Sequence, residues 1–337
     1  MSRHTDSEVV VVTGASAGVG RSTARAFGER GAKVGLLARS EDGLEGARKD
    51  VQQAGGEAIV ISTDVANPDE VEAAAETVEN EFGPIDIWIN NAMVSVFSPA
   101  AEMTADDYRR VTEVTYLGYV YGTQAALKQM RPRDAGTIVQ VGSALAYRGI
   151  PLQSAYCGAK HAIQGFTESV RTELFHDDSN VQLSMVQMPA MNTPQFEWTK
   201  NRLPQKPQPV PPIYQPDVAA RAICWTVDHD KDELWVGRST VKAILGNRLI
   251  PRRLDNYLAS GGYNSQLTDE PADTDRDHNL NEPMAGDYGA RGPFDKQARD
   301  QSYQLWASIH RRTLTILAVL VAAIVSLVLG QRVIFSD

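Results

Sequence analysis

Four valines at residues 9–12 pass without a break into Thr13-Gly14-Ala15-Ser16-Ala17-Gly18-Val19-Gly20, and a helical pattern begins at Arg21. Few chain geometries accommodate that junction. Glycine permits the tight turn and carries no Cβ to keep a pyrophosphate away from the backbone N–H groups at the positive end of the helix. A loose glycine triplet says little; one between a strand and a helix marks a nucleotide-binding loop in a βαβ unit.

Short apolar runs at residues 9–12, 34–38, 58–63, 85–89, 137–141 and 181–187 read as strands, and amphipathic stretches such as 21–30, 68–82 and 105–127 read as helices between them. Thr104 opens the last of these with Asp107 three residues on, the spacing of a capping box. Repeated βαβ units put helices on both faces of a sheet, so the expected fold class is α/β, a doubly wound parallel sheet of the Rossmann type. Residues 1–258 form a single catalytic domain in this reading. Within it the proline-rich stretch 194–216, which carries Phe196 and Trp198, breaks the pattern. It interrupts a compact domain rather than joining two, which favours a substrate lid over a linker.

Thirty-three Lys and Arg against 42 Asp and Glu leave a net charge of −9, which works against attraction to phosphate backbones, and no nucleic-acid partner is expected. Cys157 and Cys224 are the only cysteines, without a CxxC pair or a histidine cluster at ligand spacing, so neither a metal site nor a disulfide framework is read. Residues 1–7 are polar and lack the apolar stretch of a secretory leader, which points the domain to the cytoplasm.

The character of the chain changes after residue 258. Residues 259–305 are polar, acidic and rich in Gly, Pro and Asp, and read as a flexible linker. In the last segment, 306–337, the stretch 313–330 has no charged residue and would extend about 27 Å as a helix, nearly the thickness of a bilayer core. It is apolar on all sides, which favours a transmembrane span over a core helix. Arg311 and Arg312 before it and Arg332 after it give a weak charge bias toward a cytoplasmic domain. The expectation is a single-pass C-terminal membrane anchor, with the lipid bilayer as a partner. Residues 241–258 mix apolar positions with Lys242, Arg248, Arg252 and Arg253, and read equally as a helix resting on a membrane surface or as an ordinary packed helix.

The second strand ends Leu36-Leu37-Ala38-Arg39-Ser40, with no acidic residue where an NAD(H) site would grip the ribose hydroxyls. A carboxylate there would repel an added 2′-phosphate, whereas Arg39 would pair with one, so NADP(H) is expected ahead of NAD(H). Ser143 closes the run at 137–141, and Tyr156 and Lys160 lie one turn apart on a helix. A free phenol titrates near ~10, so general acid–base work at neutral pH needs a cation beside it, which Lys160 supplies. Ser143 would donate to a carbonyl oxygen as negative charge develops there, with Tyr156 delivering the proton. Singly these are ordinary surface or turn residues; their weight comes from sharing a chain with the nucleotide loop.

With these motifs in this order, the chain resembles the short-chain dehydrogenase/reductases over residues 9–237, about two thirds of its length. The resemblance implies that Thr13, Gly14, Ser16, Gly18, Val19 and Gly20 line the cofactor loop, that Asp64 and Val65 contact the adenine, and that Asn90, Asn91 and Ala92 border the nicotinamide ribose. It makes Ser143, Tyr156 and Lys160 the catalytic set, with Tyr156 and Lys160 also on the cofactor, has the stretch from Pro189 to Thr193 shape the nicotinamide pocket with Thr193 bonding the carboxamide, and places residues 194–216 at the substrate loop. It also implies a homo-oligomer. Thr115 stands where these enzymes usually carry an asparagine of the proton relay, and Met93 and Ala190 replace frequent glycines. Ala17 is neutral where some NADP(H) members are basic, which leaves Arg39 as the main support for cofactor choice.

The expected activity is hydride transfer between NADP(H) and a carbonyl or alcohol, lipophilic because a tether would hold the site beside lipid. The alternative is a catalytically weak or inactive NADP(H)-binding sensor or scaffold, motivated by Thr115 and Met93.

Overall fold

The computed structural model describes residues 7–273, 275–311, 313–317 and 319. Its central sheet is made of β1 (Val9–Thr13), β2 (Lys33–Ala38), β3 (Glu57–Ser62), β4 (Ile87–Asn90), β5 (Gly136–Ser143), β6 (Val181–Met188) and β7 (Glu233–Trp235). The strands lie in the order β7-β6-β5-β4-β1-β2-β3, every pair parallel. The expected doubly wound sheet is therefore present. The chain steps outward from β1 to β3 and then returns to the other side of β1 with β4, and this reversal opens a crevice at the carboxyl ends of both strands.

Between the strands run α1 (Gly18–Gly28), α2 (Glu41–Ala54), α3 (Pro68–Phe82), α4 (Ala105–Thr112), α5 (Gly118–Met130), α6 (Ser154–His176) and α7 (Pro216–Asp228). Alternation along β1 divides the core: Val10 and Val12 pack with Phe27, Leu44 and Val218 of α1, α2 and α7, while Val9 and Val11 pack with Val71, Val78 and Ala126 of α3 and α5. Each fully buried side chain of this kind contributes about 1.5–3 kcal/mol, so a sheet sandwiched on both faces tolerates only apolar runs in its strands.

The capping box at Thr104 and Asp107 forms reciprocally, at 3.2 and 3.1 Å. The helix expected over residues 105–127 does not run through, however. A π-helical turn, Glu113–Leu117, separates α4 from α5, and it turns Thr115 inward onto the backbone of Val94.

The C-terminal part corrects the sequence reading. After α8 (Arg238–Leu249) and α9 (Pro251–Gly261), the segment expected to be a flexible linker packs on the domain. Its strand Leu267–Pro271 pairs antiparallel with Gln205–Pro207, Leu280 is buried, and α10 (Tyr303–Ile309) docks Leu305 into the core.

Among the described residues no helix is long and apolar enough to cross a membrane. Residues 318 and 320–330 of the expected span lie outside the described residues. The single-pass anchor, the bilayer as partner and the membrane localisation are therefore withdrawn, and with them the lipophilic substrate inferred from a tether. A hydropathy window registers apolar composition, whereas a span also needs an uninterrupted helix of sufficient length.

Candidate active site

Thr13, at the end of β1, fastens the crevice floor. Its hydroxyl donates to the Ile89 carbonyl at 3.3 Å and accepts from the N–H groups of Asn91 at 2.9 Å and Ala92 at 3.1 Å. The Asn91 amide then donates to the carbonyls of Thr13 and Gly14, at 3.0 and 3.2 Å. Gly14 has φ +65°, and a Cβ on it would stand 2.8 Å from the Ala92 Cα, so the close approach of β1 and β4 requires a glycine. Ala17 precedes α1 without a side chain able to cap it, and the first N–H of that helix, on Gly18, donates instead to the Gly289 carbonyl at 3.2 Å.

A cavity of about 420 Å³ occupies this crevice. Of the residues anticipated for the cofactor, Gly14, Ser16, Gly18, Val19, Arg39, Asp64, Val65, Asn91, Ala92, Pro189 and Thr193 all line it. Thr13 and Gly20 lie just behind the wall; a Cβ on Gly20 would stand 2.3 Å from the Gly14 carbonyl oxygen.

Arg39 reaches the same cavity from the end of β2, and burial lowers its pKa from the usual guanidinium value. Among the described residues it forms no ion pair: Nη2 donates to the Asn279 carbonyl at 2.6 Å and Nη1 to that of Asn281. Asp64, whose charge acts on Arg39, is bound at 2.5 Å by Arg110.

At the far end Ser143, Tyr156 and Lys160 come together on the cavity wall. Burial raises the Tyr156 phenol above its ordinary value, against the hydrogen bond to Ser143, which lowers it. Burial alone lowers Lys160 to about 7. Its Nζ sits 5.6 Å from the centre of the Tyr156 ring, close enough to influence the phenol through the low-dielectric interior. Its direct hydrogen bonds go elsewhere, to the Val141 carbonyl at 2.8 Å and the Tyr119 hydroxyl at 3.0 Å.

Thr115 does not join this group. Its hydroxyl accepts from Val94 N at 3.0 Å and donates to Val94 O at 2.9 Å, so its only proton is spent on holding a loop.

Tyr119, which the sequence reading missed, touches the lysine instead. It lies one helical turn beyond Thr115, is buried, and donates to the Val141 carbonyl at 3.0 Å while accepting from Lys160. The spacing from Thr115 was the only available signal. Tyr119→Phe removes one of two anchors on Nζ and is expected to lower kcat about three- to tenfold with unchanged NADPH affinity, the order of one lost hydrogen bond to a charged group. Parallel kinetics and cofactor titration check this.

The proline-rich stretch folds over the opposite side. Phe196 sits in an apolar cluster with Phe97, Leu152 and Leu203, and its ring meets Phe294 edge-on at 5.7 Å. Asp107 anchors the stretch through Lys200 at 2.8 Å and Arg202 at 2.5 Å. Burial would raise that carboxyl, but these cations and Thr104 outweigh it and hold it well below the usual carboxylate range.

The short chain dehydrogenase family profile matches residues 8–202. An uncharacterized oxidoreductase of Bacillus subtilis strain 168, YxnA, is 34% identical over 88% of this chain and 83% of its own. Among solved structures, an alcohol dehydrogenase from the archaeon Thermococcus sibiricus, complexed with 5-hydroxy-NADP, aligns with TM-score 0.57 and 26% identity over 68% of this chain and 96% of its own. A metagenomic short-chain oxidoreductase in complex with NADP aligns with TM-score 0.57 and 25% identity, over 68% and 95%.

Proposed function

The chain belongs to the short chain dehydrogenase family, and from that membership we propose that it interconverts an uncharged ketone or aldehyde and the corresponding alcohol. It is an NADP(H)-dependent oxidoreductase acting on CH–OH and C=O groups. The residues fit that cofactor. Gly14 and Gly18 shape a cradle that a Cβ would crowd, against Ala92 and Thr193 respectively, and Arg39 brings a partly buried cation with no carboxylate partner among the described residues to one end.

NADP(H) supplies or accepts the hydride. The chain's own groups manage charge and protons: Ser143 hydrogen-bonds the substrate oxygen, Tyr156 delivers a proton to it on reduction or removes one on oxidation, and the Lys160 cation favours the phenolate that forms. Thr115 takes no part in proton transfer, since its hydroxyl is committed to Val94.

The reading of an uncharged substrate is supported by the cavity lining, where among the described residues the only charged side chains are Arg39 and Asp64 at the adenosine end and Lys160 in the catalytic group. Elsewhere the lining is uncharged, with apolar Leu145, Ile150, Met191, Phe196 and Val210 beside neutral Gln153, Gln195 and Gln208. A carboxylate placed among these would be desolvated without a counter-ion. Assays of neutral and carboxylate-bearing ketones of matched size, each with NADPH and NADH, test this reading. Neutral ketones with NADPH are expected to show kcat/KM at least about 100-fold higher than the acids, the order of an unpaired buried charge. Equal turnover of the acids would refute the uncharged class.

A further inference from the structure

The segment from Asn279 to Gly292 crosses the mouth of the crevice from one wall to the other. At its start the Asn279 and Asn281 carbonyls accept from Arg39, and the Leu280 carbonyl between them accepts from Arg110 Nε at 3.1 Å. The Met284 carbonyl then accepts from the Ser40 hydroxyl at 3.3 Å, and Gly286 N–H donates to Asp42 at 2.9 Å. Further on, Asp287 pairs with Arg21, which Asp50 also binds at 2.7 Å.

The Gly289 carbonyl accepts from Gly18 N–H at 3.2 Å, in the glycine loop itself, and Gly292 N–H donates to the Asn192 carbonyl at 3.2 Å on the opposite side. Tyr288 closes edge-on against Trp198, with ring centres 4.7 Å apart. Asn279, Pro283, Met284, Gly286 and Tyr288 thereby become part of the same cavity wall as Gly14, Arg39 and Tyr156.

We infer that residues 279–292 are a built-in cover for the cofactor: they complete the adenosine end of the NADP(H) site, hold Arg39 in place for the 2′-phosphate, and lift to let the cofactor leave. The inference rests on the assignment of this crevice to NADP(H). The anchors are of two kinds. Arg39 and Arg110 seize three successive carbonyls at one end, which fixes the backbone there and leaves Arg39 Nε outside those bonds. The middle is held by the Asp287 carboxylate, half exposed and paired to a buried Arg21, and its neighbours Gly286 and Gly289 have φ +95° and +69°, backbone conformations natural to glycine. Release of the Asp287 ion pair leaves the middle held only by single hydrogen bonds at Met284, Gly286 and Gly289, while the arginine-bound end stays fixed. The geometry is that of a flap anchored at the adenosine end.

Hydrogen exchange on the full chain with and without saturating NADPH, together with stopped-flow NADPH dissociation from wild type and Asp287→Ala, tests this. The expected result is slower exchange over 279–292 when NADPH binds, and dissociation about tenfold faster in Asp287→Ala, the order for losing one charge-assisted hydrogen bond. Protection of the glycine-loop amides 14–20 by NADPH, with exchange over 279–292 unchanged, would overturn the cover and leave the cofactor assignment standing. Tighter NADPH binding in Asp287→Ala would also overturn it, since the segment would then compete with the cofactor. If neither region responds to NADPH, the cofactor assignment fails and the cover with it. The exchange comparison uses wild type alone, so it decides the matter even if the variant folds poorly.

Discussion

Tyr156→Phe is expected to lower kcat for carbonyl reduction by about 10²- to 10⁴-fold, the range typical of a positioned general acid, with NADPH affinity changed less than about twofold. Among the described residues the phenol is the hydroxyl that both lines the cavity and lies near the Lys160 cation: Tyr119, which accepts from Lys160, is not on the cavity wall, and Thr115 is tied to Val94. Removing one oxygen from a ring that stays the same size leaves the cavity wall intact, so binding should survive while proton delivery does not. NADPH oxidation at saturating substrate measures the first quantity and cofactor fluorescence titration the second. Turnover within threefold of wild type would mean that another group protonates the substrate.

Lys160→Met should produce the second large effect, a loss of about 10²-fold in kcat, as expected when a phenolate loses its stabilising charge. The pH profile carries the sign. Burial places the Lys160 amine at about 7, below its ordinary value. In the reducing direction the cation is the useful form, so kcat should be flat below pH 7 and decline as pH rises through it. Lys160→Met should lack that decline. A wild-type rate that climbs with pH between 6 and 8 would contradict the assignment.

The same shift bears on stability. Because the folded pKa lies below the unfolded one, the unfolded chain binds the extra proton between pH ~7 and ~10.4, and the stability contribution of this group is fully present above that window and lost as pH falls through it. At pH 7 the methionine variant is spared that loss. Its deletion also leaves no orphan, because the Tyr119 hydroxyl still donates to the Val141 carbonyl. The variant should therefore melt at a higher temperature than the wild type while being far slower, a pairing of effects that a merely damaged fold would not give.

Much of the architecture was legible in one dimension because it arises from local periodicity. Strand positions follow from buried apolar runs such as Val9 to Val12, and the capping box at Thr104 and Asp107 is a three-residue spacing. The co-location of Gly14, Ser143, Tyr156 and Lys160 was likewise readable, since strand ends in a doubly wound sheet converge on one crevice. The membrane anchor rests on apolar composition alone, and among the described residues no helix is long and apolar enough to cross a membrane.

What escaped a linear reading depends on partners far apart in the chain. Arg39 meets Asn281 across 242 positions, and the group it meets is a backbone carbonyl, which every residue possesses and no side chain advertises. A polar, glycine-rich stretch looks identical whether it hangs in solvent or straps a crevice, because the difference lies in which donors the fold presents to it. Thr115 and Tyr119 make the same point at short range: one π-helical turn directs the threonine to Val94 and the tyrosine to Lys160. Residue order supplied the chemical groups and the sheet that gathers them, while packing assigned each donor its acceptor and brought the crossing segment over the cofactor crevice.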